Sequence, residues 1–269
     1  MGASPAVSVL MSVWNGAPWV SEAIESVLSQ TASDLELIVV DDGSSDRTPA
    51  LLAAVRDPRL RVERQTRAGL TRSLNRAAGL ARAPLLARLD ADDVARPERL
   101  ARQRGFLDAR PGVGLLGSAA SEVDPSGHEV RIVRPPQADR EIRRALIRRN
   151  PFVHSSVMMR RALLERVGGY DETLAVAQDY DLWLRMSEHT QMANLPDPLV
   201  VRRLLPGRVS MRRDSDRLRT EAWARWRAVR RGAYPAWCAI FVVRPLLALA
   251  LPGAWRRQAR RLAGRPGPS

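Results

Sequence analysis

Two hydrophobic patterns alternate from the amino end of the chain. Val7–Val13 and Leu35–Val40 are apolar runs of strand length, as expected of strands buried on both faces of a parallel sheet. Between them, after Asn15-Gly16, residues Val20, Ile24, Val27 and Leu28 share one helical stripe, with Pro18 in the first turn. A second helix is predicted from about Thr48, with Pro49 early and Leu51, Leu52 and Val55 facing inward. Leu60–Glu63 then predicts a short strand, Gly69–Ala81 a helix and Pro84–Leu89 another strand. Such alternation predicts an α/β fold wound on both sides of one sheet. In sheets of this kind ligands gather at the carboxyl ends of the strands.

Further along, a helix is expected over Pro97–Ala109, a strand over Val113–Ser118 and a turn at Asp124-Pro125-Ser126-Gly127 between two short strands. A basic helix over 137–149, a strand over Val153–Met159 and a helix over Asp179–Glu188 follow, the last burying Leu182, Trp183 and Met186. Pro196–Leu205 closes this part. The remainder differs in kind. Residues 212–231 are arginine-rich with Trp223 and Trp226 interleaved, 236–252 are nearly all apolar but for Arg244-Pro245, and Trp255–Leu262 is basic again. The chain therefore divides into a globular body, 1–210, and a basic and apolar helical tail, 211–269.

Charge sharpens that division. The net charge of +14 comes from 43 arginines, since lysine is absent, against 29 acidic residues. Residues 1–201 hold 26 of each, whereas residues 202–269 hold 17 arginines against Asp214, Asp216 and Glu221. A neutral body with a strongly basic tail points to an anionic surface as the tail's partner. Tryptophans around an apolar run suit the headgroup zone of an anionic bilayer. The run has 17 residues, where a span needs about 20, and Arg244 near its middle would cost about 2.5–3.5 kcal/mol. Shallow attachment is expected rather than a span; packing of a helix on the body is the alternative. A neutral body without a helix-turn-helix, zinc or RNA-binding motif argues against nucleic acid. The lone Cys238 rules out an intramolecular disulfide, and Met1–Ala6 lacks the pattern of a signal peptide, so a reducing cytoplasm is expected.

The chemistry concentrates in two acidic clusters. Asp90, Asp92 and Asp93 follow the strand ending at Leu89, and Asp41, Asp42 and Asp46 follow the strand ending at Val40. Both clusters fall at the same rim of the predicted sheet. Like charges held this close repel unless a cation sits among them. A hard divalent ion, Mg²⁺ or Mn²⁺, bridging to the phosphates of a nucleotide is the natural candidate. Aspartates also cap helices and form turns, and for residues 41–46 both readings hold together.

Taken in order, Val7–Asn15, Val40-Asp41-Asp42-Gly43-Ser44-Ser45-Asp46, Ala87–Asp93 with Pro97-Glu98-Arg99-Leu100, Asn150–Ser156, Gly168-Gly169-Tyr170-Asp171 and Gln178–Trp183 closely resemble the family 2 glycosyltransferases. The resemblance covers roughly residues 5–210. It implies a GT-A fold, a Rossmann-like, mostly parallel mixed sheet flanked by helices, and inverting transfer from a nucleotide sugar, by default UDP-linked. The implied acceptor is a hydroxyl of a glycan or lipid-linked glycan precursor in surface polysaccharide synthesis, met at the inner face of the plasma membrane. It further implies that Asp92 and Asp93 hold the metal, that Asp90 lies nearer the ribose, and that Asp42 and Ser12 belong to the nucleobase pocket. Asp179 is the expected general base, Arg72 is placed to reach the diphosphate, and His154 matches a histidine on the acceptor side.

Two departures stand out. Gln178 occupies a position where the family usually has glutamate, and Leu205 one where many relatives carry a histidine that helps bind metal or diphosphate. Gly112-Val113-Gly114-Leu115-Leu116-Gly117 has the spacing of a dinucleotide fingerprint but precedes a strand rather than a helix, so it is set aside. A metal-dependent nucleotidyltransferase and a basic-tailed nucleic-acid binder are the rival functions.

Overall fold

The computed structural model describes residues 4–205 and 214–250, apart from the side chains of Arg244 and Ala250. In the first half β1 (Val7–Val13), α1 (Val20–Leu28), β2 (Leu35–Asp41), α2 (Thr48–Ala54), β3 (Leu60–Arg64), α3 (Leu70–Leu80) and β4 (Leu85–Arg88) follow the expected alternation. Then come β5 (Val94–Ala95), α4 (Arg99–Ala109), β6 (Val113–Val123), β7 (Glu129–Val133) and α5 (Asp139–Leu146). After them lie β8 (Met158–Arg160), α6 (Arg161–Arg166), α7 (Gln178–Met186), β9 (Gln191–Arg203), α8 (Asp214–Arg230) and α9 (Ile240–Ala250).

The strands form one mixed sheet in the order β3-β2-β1-β4-β8-β6-β9-β5, with β7 on β6. β1 to β4 pair in parallel, β8 runs against β4 and β6, and β9 runs parallel to β6. Alternate side chains of the central strands enter two cores. Val7, Val9, Met11, Val13, Leu35, Leu37 and Val39 pack with α1, α2 and α4. Leu10, Ile38 and Val40 pack on the other face with α3, α5, α6, α7 and α8. Burial on both faces is what a continuous apolar run encodes, and each fully buried Val, Leu or Ile contributes about 1.5–3 kcal/mol.

Several elements depart from the expected pattern. The predicted strand over Val153–Met159 is a 3-10 turn, His154–Ser156, followed by the short β8. β6 continues past Ser118 to Val123 because β9 and β7 pair along its second half. β9 starts at Gln191 and runs through Pro196 and Pro198, with register shifts where it passes Ser118 and Ala119. Two of the three spaced glycines, Gly114 and Gly117 in β6, have a packing explanation. A Cβ at Gly114 would lie 2.5 Å from Thr190 Oγ1, and one at Gly117 would lie 2.2 Å from Asn194 Oδ1 and 2.8 Å from Phe152 Cδ1.

In the tail, α8 places Ala224 and Ala228 in the second core, and buried Arg225 donates to Tyr180 Oη at 2.8 Å and to Arg148 O at 3.0 Å. The apolar run becomes a 3-10 turn (Ala236–Ala239) and α9, with Cys238 buried. Among the described residues no helix is long and apolar enough to cross a membrane. The boundary expected at 210/211 and the basic stretch Trp255–Leu262 lie outside the described residues.

Candidate active site

At the carboxyl ends of β1 and β2 the first acidic cluster is stitched to the loop beside it. Asn15, in a left-handed conformation, accepts from the Ser45 N–H at 2.9 Å and donates its own N–H to Ser44 Oγ at 2.9 Å. Asp41 Oδ1 accepts from Ser44 N, and Asp46 accepts from Ala17 N and Thr48 N. These two aspartates shape the loop, as turn-forming carboxylates do. Asp42 points the other way. Its Oδ1 accepts from Ala68 N at 2.7 Å and Gln65 Nε2 at 2.8 Å, and its Oδ2 from Gly69 N at 2.8 Å. Asp42 thereby fixes the 65–69 loop, whose Arg67 stacks 3.2 Å from the centre of the Trp14 ring. That ring, 45% exposed, lies one residue beyond the end of β1, which carries Ser12. Nothing in the sequence pattern marks the pairing of Trp14 with Arg67.

The second cluster begins where β4 ends. One carboxylate oxygen from each of Asp90, Asp92 and Asp93 lies within 4.8 Å of the others. Three hard oxygen donors at that spacing fit Mg²⁺ or Mn²⁺. Their support comes from residues the sequence left unassigned. Arg88, buried in β4, donates to Asp90 Oδ1 and to Ser155 Oγ. The Ser155 hydroxyl lies against Asp90 Oδ2 and Asp93 Oδ2. From the far side Arg203, at the end of β9, gives its backbone N–H to Asp93 Oδ1 at 3.0 Å and its guanidinium to Asp92 O at 2.9 Å. Asp93 is thus tied at both oxygens and buried, whereas Asp90 and Asp92 are partly exposed.

The electrostatics follow from these contacts. Burial alone would raise the pKa of Asp90, but the Arg88 guanidinium overrides it and holds the carboxyl well below its usual range. Asp93 goes the opposite way, to about 7, through burial and the charges of Asp90 and Asp92. Arg99, deep behind the cluster, donates to Arg88 O at 2.8 Å; its pKa falls to about 9 through burial and the neighbouring Arg88 charge.

Asp179 stands at the start of α7, which opens after Ala177 in a left-handed conformation. Part of its surface meets solvent, yet protein surrounds the carboxyl. That burial raises its pKa against hydrogen bonds from the Tyr180 N–H and Asn150 and against the positive charge of Arg88. Gln178 beside it is buried and neutral. His154 Nε2 lies 2.9 Å from Tyr170 Oη, with the Trp183 ring at its edge, 5.9 Å between centroids. Burial and then Arg88 push this histidine far below its ordinary pKa, so it is neutral at pH 7. Arg88 is therefore within electrostatic reach of Asp90, Asp93, His154 and Asp179 at once. Arg72, three residues beyond Gly69 on α3, is exposed and ion-paired with Glu172 at 3.4 Å. Leu205 follows β9 and is half-buried.

Comparison with known proteins shows the family and the fold. Glycosyl transferase family 2 matches residues 8–168. The amylovoran biosynthesis glycosyltransferase AmsE of Erwinia amylovora is 34% identical over 222 residues, 80% of this chain and 82% of that protein. The putative glycosyltransferase EpsE of Bacillus subtilis is 29% identical over 269 residues, 94% of this chain and 92% of that one. Among solved structures, the Pyrobaculum calidifontis mannosyltransferase PcManGT in complex with GDP-Man and Mn²⁺ superposes with a TM-score of 0.65 at 22% identity, covering 97% of this chain and 80% of that one. S. aureus TarS 1–349 in complex with UDP-GlcNAc gives 0.66 at 22% identity over 81% of this chain, which spans 66% of the TarS chain. At such identities these two establish the fold, which is GT-A-like. The matched family and the AmsE likeness together place the chain in glycosyl transferase family 2.

Proposed function

We propose that the protein is an inverting, metal-dependent glycosyltransferase that moves a sugar from a nucleotide-sugar donor, by default UDP-linked, to a hydroxyl of a glycan or lipid-linked glycan precursor in surface polysaccharide synthesis. One observation carries the reading. Ser155, whose hydroxyl lies against Asp90 and Asp93, and Asn150, which donates to Asp179, belong to one short segment, so the acidic rim and the half-buried Asp179 carboxylate share its support. That pairing supplies a leaving-group end and a base end to one site.

In this reading Asp179 takes the proton of the acceptor hydroxyl, whose oxygen attacks the anomeric carbon as the bond to the diphosphate breaks. A single displacement of this kind inverts the anomeric centre and needs no covalent enzyme intermediate. Asp92 and Asp93, with Asp90 beside them, would hold a divalent cation, which neutralises charge on the departing diphosphate. Asp42 and Ser12 serve the nucleobase side of the pocket, and His154 the acceptor side as a neutral, hydrogen-bonding group. The complexes of TarS with UDP-GlcNAc and of PcManGT with GDP-Man and Mn²⁺ support a nucleotide-sugar donor and a metal. The likeness to AmsE, an amylovoran biosynthesis glycosyltransferase, supports the acceptor class. The tail beyond α8, which itself packs on the body, is read as the contact with an anionic membrane face on the cytoplasmic side.

A thermal-shift screen of UDP, GDP and dTDP with and without Mn²⁺ tests donor and metal together, because a ligand that binds only the folded state raises its melting temperature. Stabilisation by one nucleotide, deepened by Mn²⁺ and lost in Asp92→Asn, is expected. Asp179→Asn keeps that binding and loses transfer; full turnover in this variant would favour nucleotidyl transfer instead.

A further inference from the structure

Asn150 lies at the head of the segment that leads into the 3-10 turn, and both ends of its amide are engaged. Nδ2 donates to Asp179 Oδ2 at 2.7 Å, while Oδ1 accepts the Phe152 N–H at 3.1 Å. The second contact settles the orientation of the amide, because only its oxygen can accept from a backbone N–H. A flipped amide would turn its carbonyl toward the carboxylate and lose both bonds. The segment around it is itself anchored. Pro151 O accepts from Asn194 Nδ2 at 3.4 Å, and Phe152 packs on Trp183 of α7, the helix that carries Asp179, with 5.8 Å between ring centroids.

We propose that Asn150 is a positioning residue for Asp179, gripping Oδ2 and so holding the carboxylate in the attitude in which it takes the acceptor proton. The inference rests on Asp179 being the general base. Five groups bear on that carboxyl: the Asn150 amide, the backbone N–H of Tyr180 and that of Asp179 itself in α7, the Arg88 guanidinium from β4 and the Tyr170 phenol from the loop after α6. The first four favour its charged form and oppose its burial. Loss of the Asn150 donor therefore makes Asp179 harder to ionise. Asn150→Asp keeps an acceptor for the Phe152 N–H but sets a second carboxylate against the first, so the two share a proton.

The test is a ¹³C NMR titration of the full-length protein labelled at the aspartate carboxyl carbon, with Asp179→Asn identifying the Asp179 signal. In Asn150→Ala its midpoint is expected to move up by about one unit, a tenfold change in proton affinity. Asn150→Asp is expected to move it further, while UDP-with-Mn²⁺ stabilisation stays as in the wild type. An unshifted Asp179 signal in Asn150→Asp would overturn the positioning role alone and leave Asn150 a turn former. If Asp179→Asn released nucleoside diphosphate, from the sugar nucleotide that stabilises the wild-type protein, at the wild-type rate, the base reading would fail and the positioning role with it.

Discussion

Buried in β4 and flanked by carboxylates, Arg88 donates to Asp90 while its charge reaches Asp93, His154 and Asp179. Removing the guanidinium takes charge-assisted hydrogen bonds from Asp90, which is partly exposed, and from buried Ser155. Arg88→Met is expected to destabilise the protein by about 1–3 kcal/mol, read from the midpoint of urea unfolding. Asp93 sets a pH dependence. In the metal-free protein its pKa of about 7 lies above that of the unfolded chain, at about 4. The folded state then holds a proton that the unfolded state has released, so stability falls as pH rises from about 4 to about 7. Asp90, depressed by Arg88, acts in a lower window, where its contribution is lost as pH drops below about 4. Thermal unfolding across this range is expected to show the upper slope without Mn²⁺ and to lose it with Mn²⁺. Asp179 titrates above the ordinary aspartate range, so transfer is expected to fall as pH drops through its titration. The rim carboxylates were legible from their position after apolar runs, and Asp179 only from the family resemblance. Their supports, Ser155, Arg203 and Asn150, come from distant parts of the chain, and nothing local marks a serine or asparagine that will meet an aspartate across the sheet.

Among the elements, β6 and β9 show best where sequence patterning runs out. Their ladder carries the rim through Arg203 to Asp92 and Asp93, yet β9 contains two prolines and β6 two glycines, residues that read as interruptions. The glycines are there because neighbouring chain comes too close for a Cβ. Gly117→Ala would drive a methyl group into Asn194 Oδ1 and the Phe152 ring, and Asn194 holds Pro136 O and Pro151 O. The expected loss is about 1–3 kcal/mol in chemical denaturation. Because Pro151 adjoins Asn150, the same variant is expected to disturb the Asp179 signal as well. β1, β2 and β4 were legible because burial on both faces leaves an unbroken apolar run. The two-residue β5 and six-residue α6 are too short to show a period.

For the molecule as a whole, the tail joins two tasks that composition alone kept apart. Its first helix, α8, completes the second core, so cutting the chain at 211 would expose that core. Beyond it Trp237, Ile240, Val243, Leu246 and Leu247 are exposed, with Trp237 at 65%. The whole +14 of net charge lies in 202–269. A bilayer test should therefore spare α8 and alter only the exposed face. Full-length protein is expected to co-sediment with phosphatidylglycerol vesicles at low salt and not with phosphatidylcholine vesicles. Replacing Trp237, Ile240 and Leu247 by serine should leave the protein in the supernatant with its melting temperature unchanged. Wild-type protein that ignores anionic vesicles would sink the membrane reading.

What the sequence determined by itself was the local and repetitive part. The α/β winding, the rim where the acidic clusters fall, the neutral body and the basic tail all follow from hydrophobic period and charge, which act between near neighbours. The tertiary structure alone decided the state of each carboxylate. Asp41 and Asp46 bind loop amides, Asp42 orders the 65–69 segment, Asp90 is held ionised and Asp93 has its pKa raised to about 7. All five are aspartates after a strand in the sequence. They differ because burial and the placement of Arg88, Ser155 and Arg203 are products of packing between distant segments, and the energy of a charge depends on what surrounds it in space.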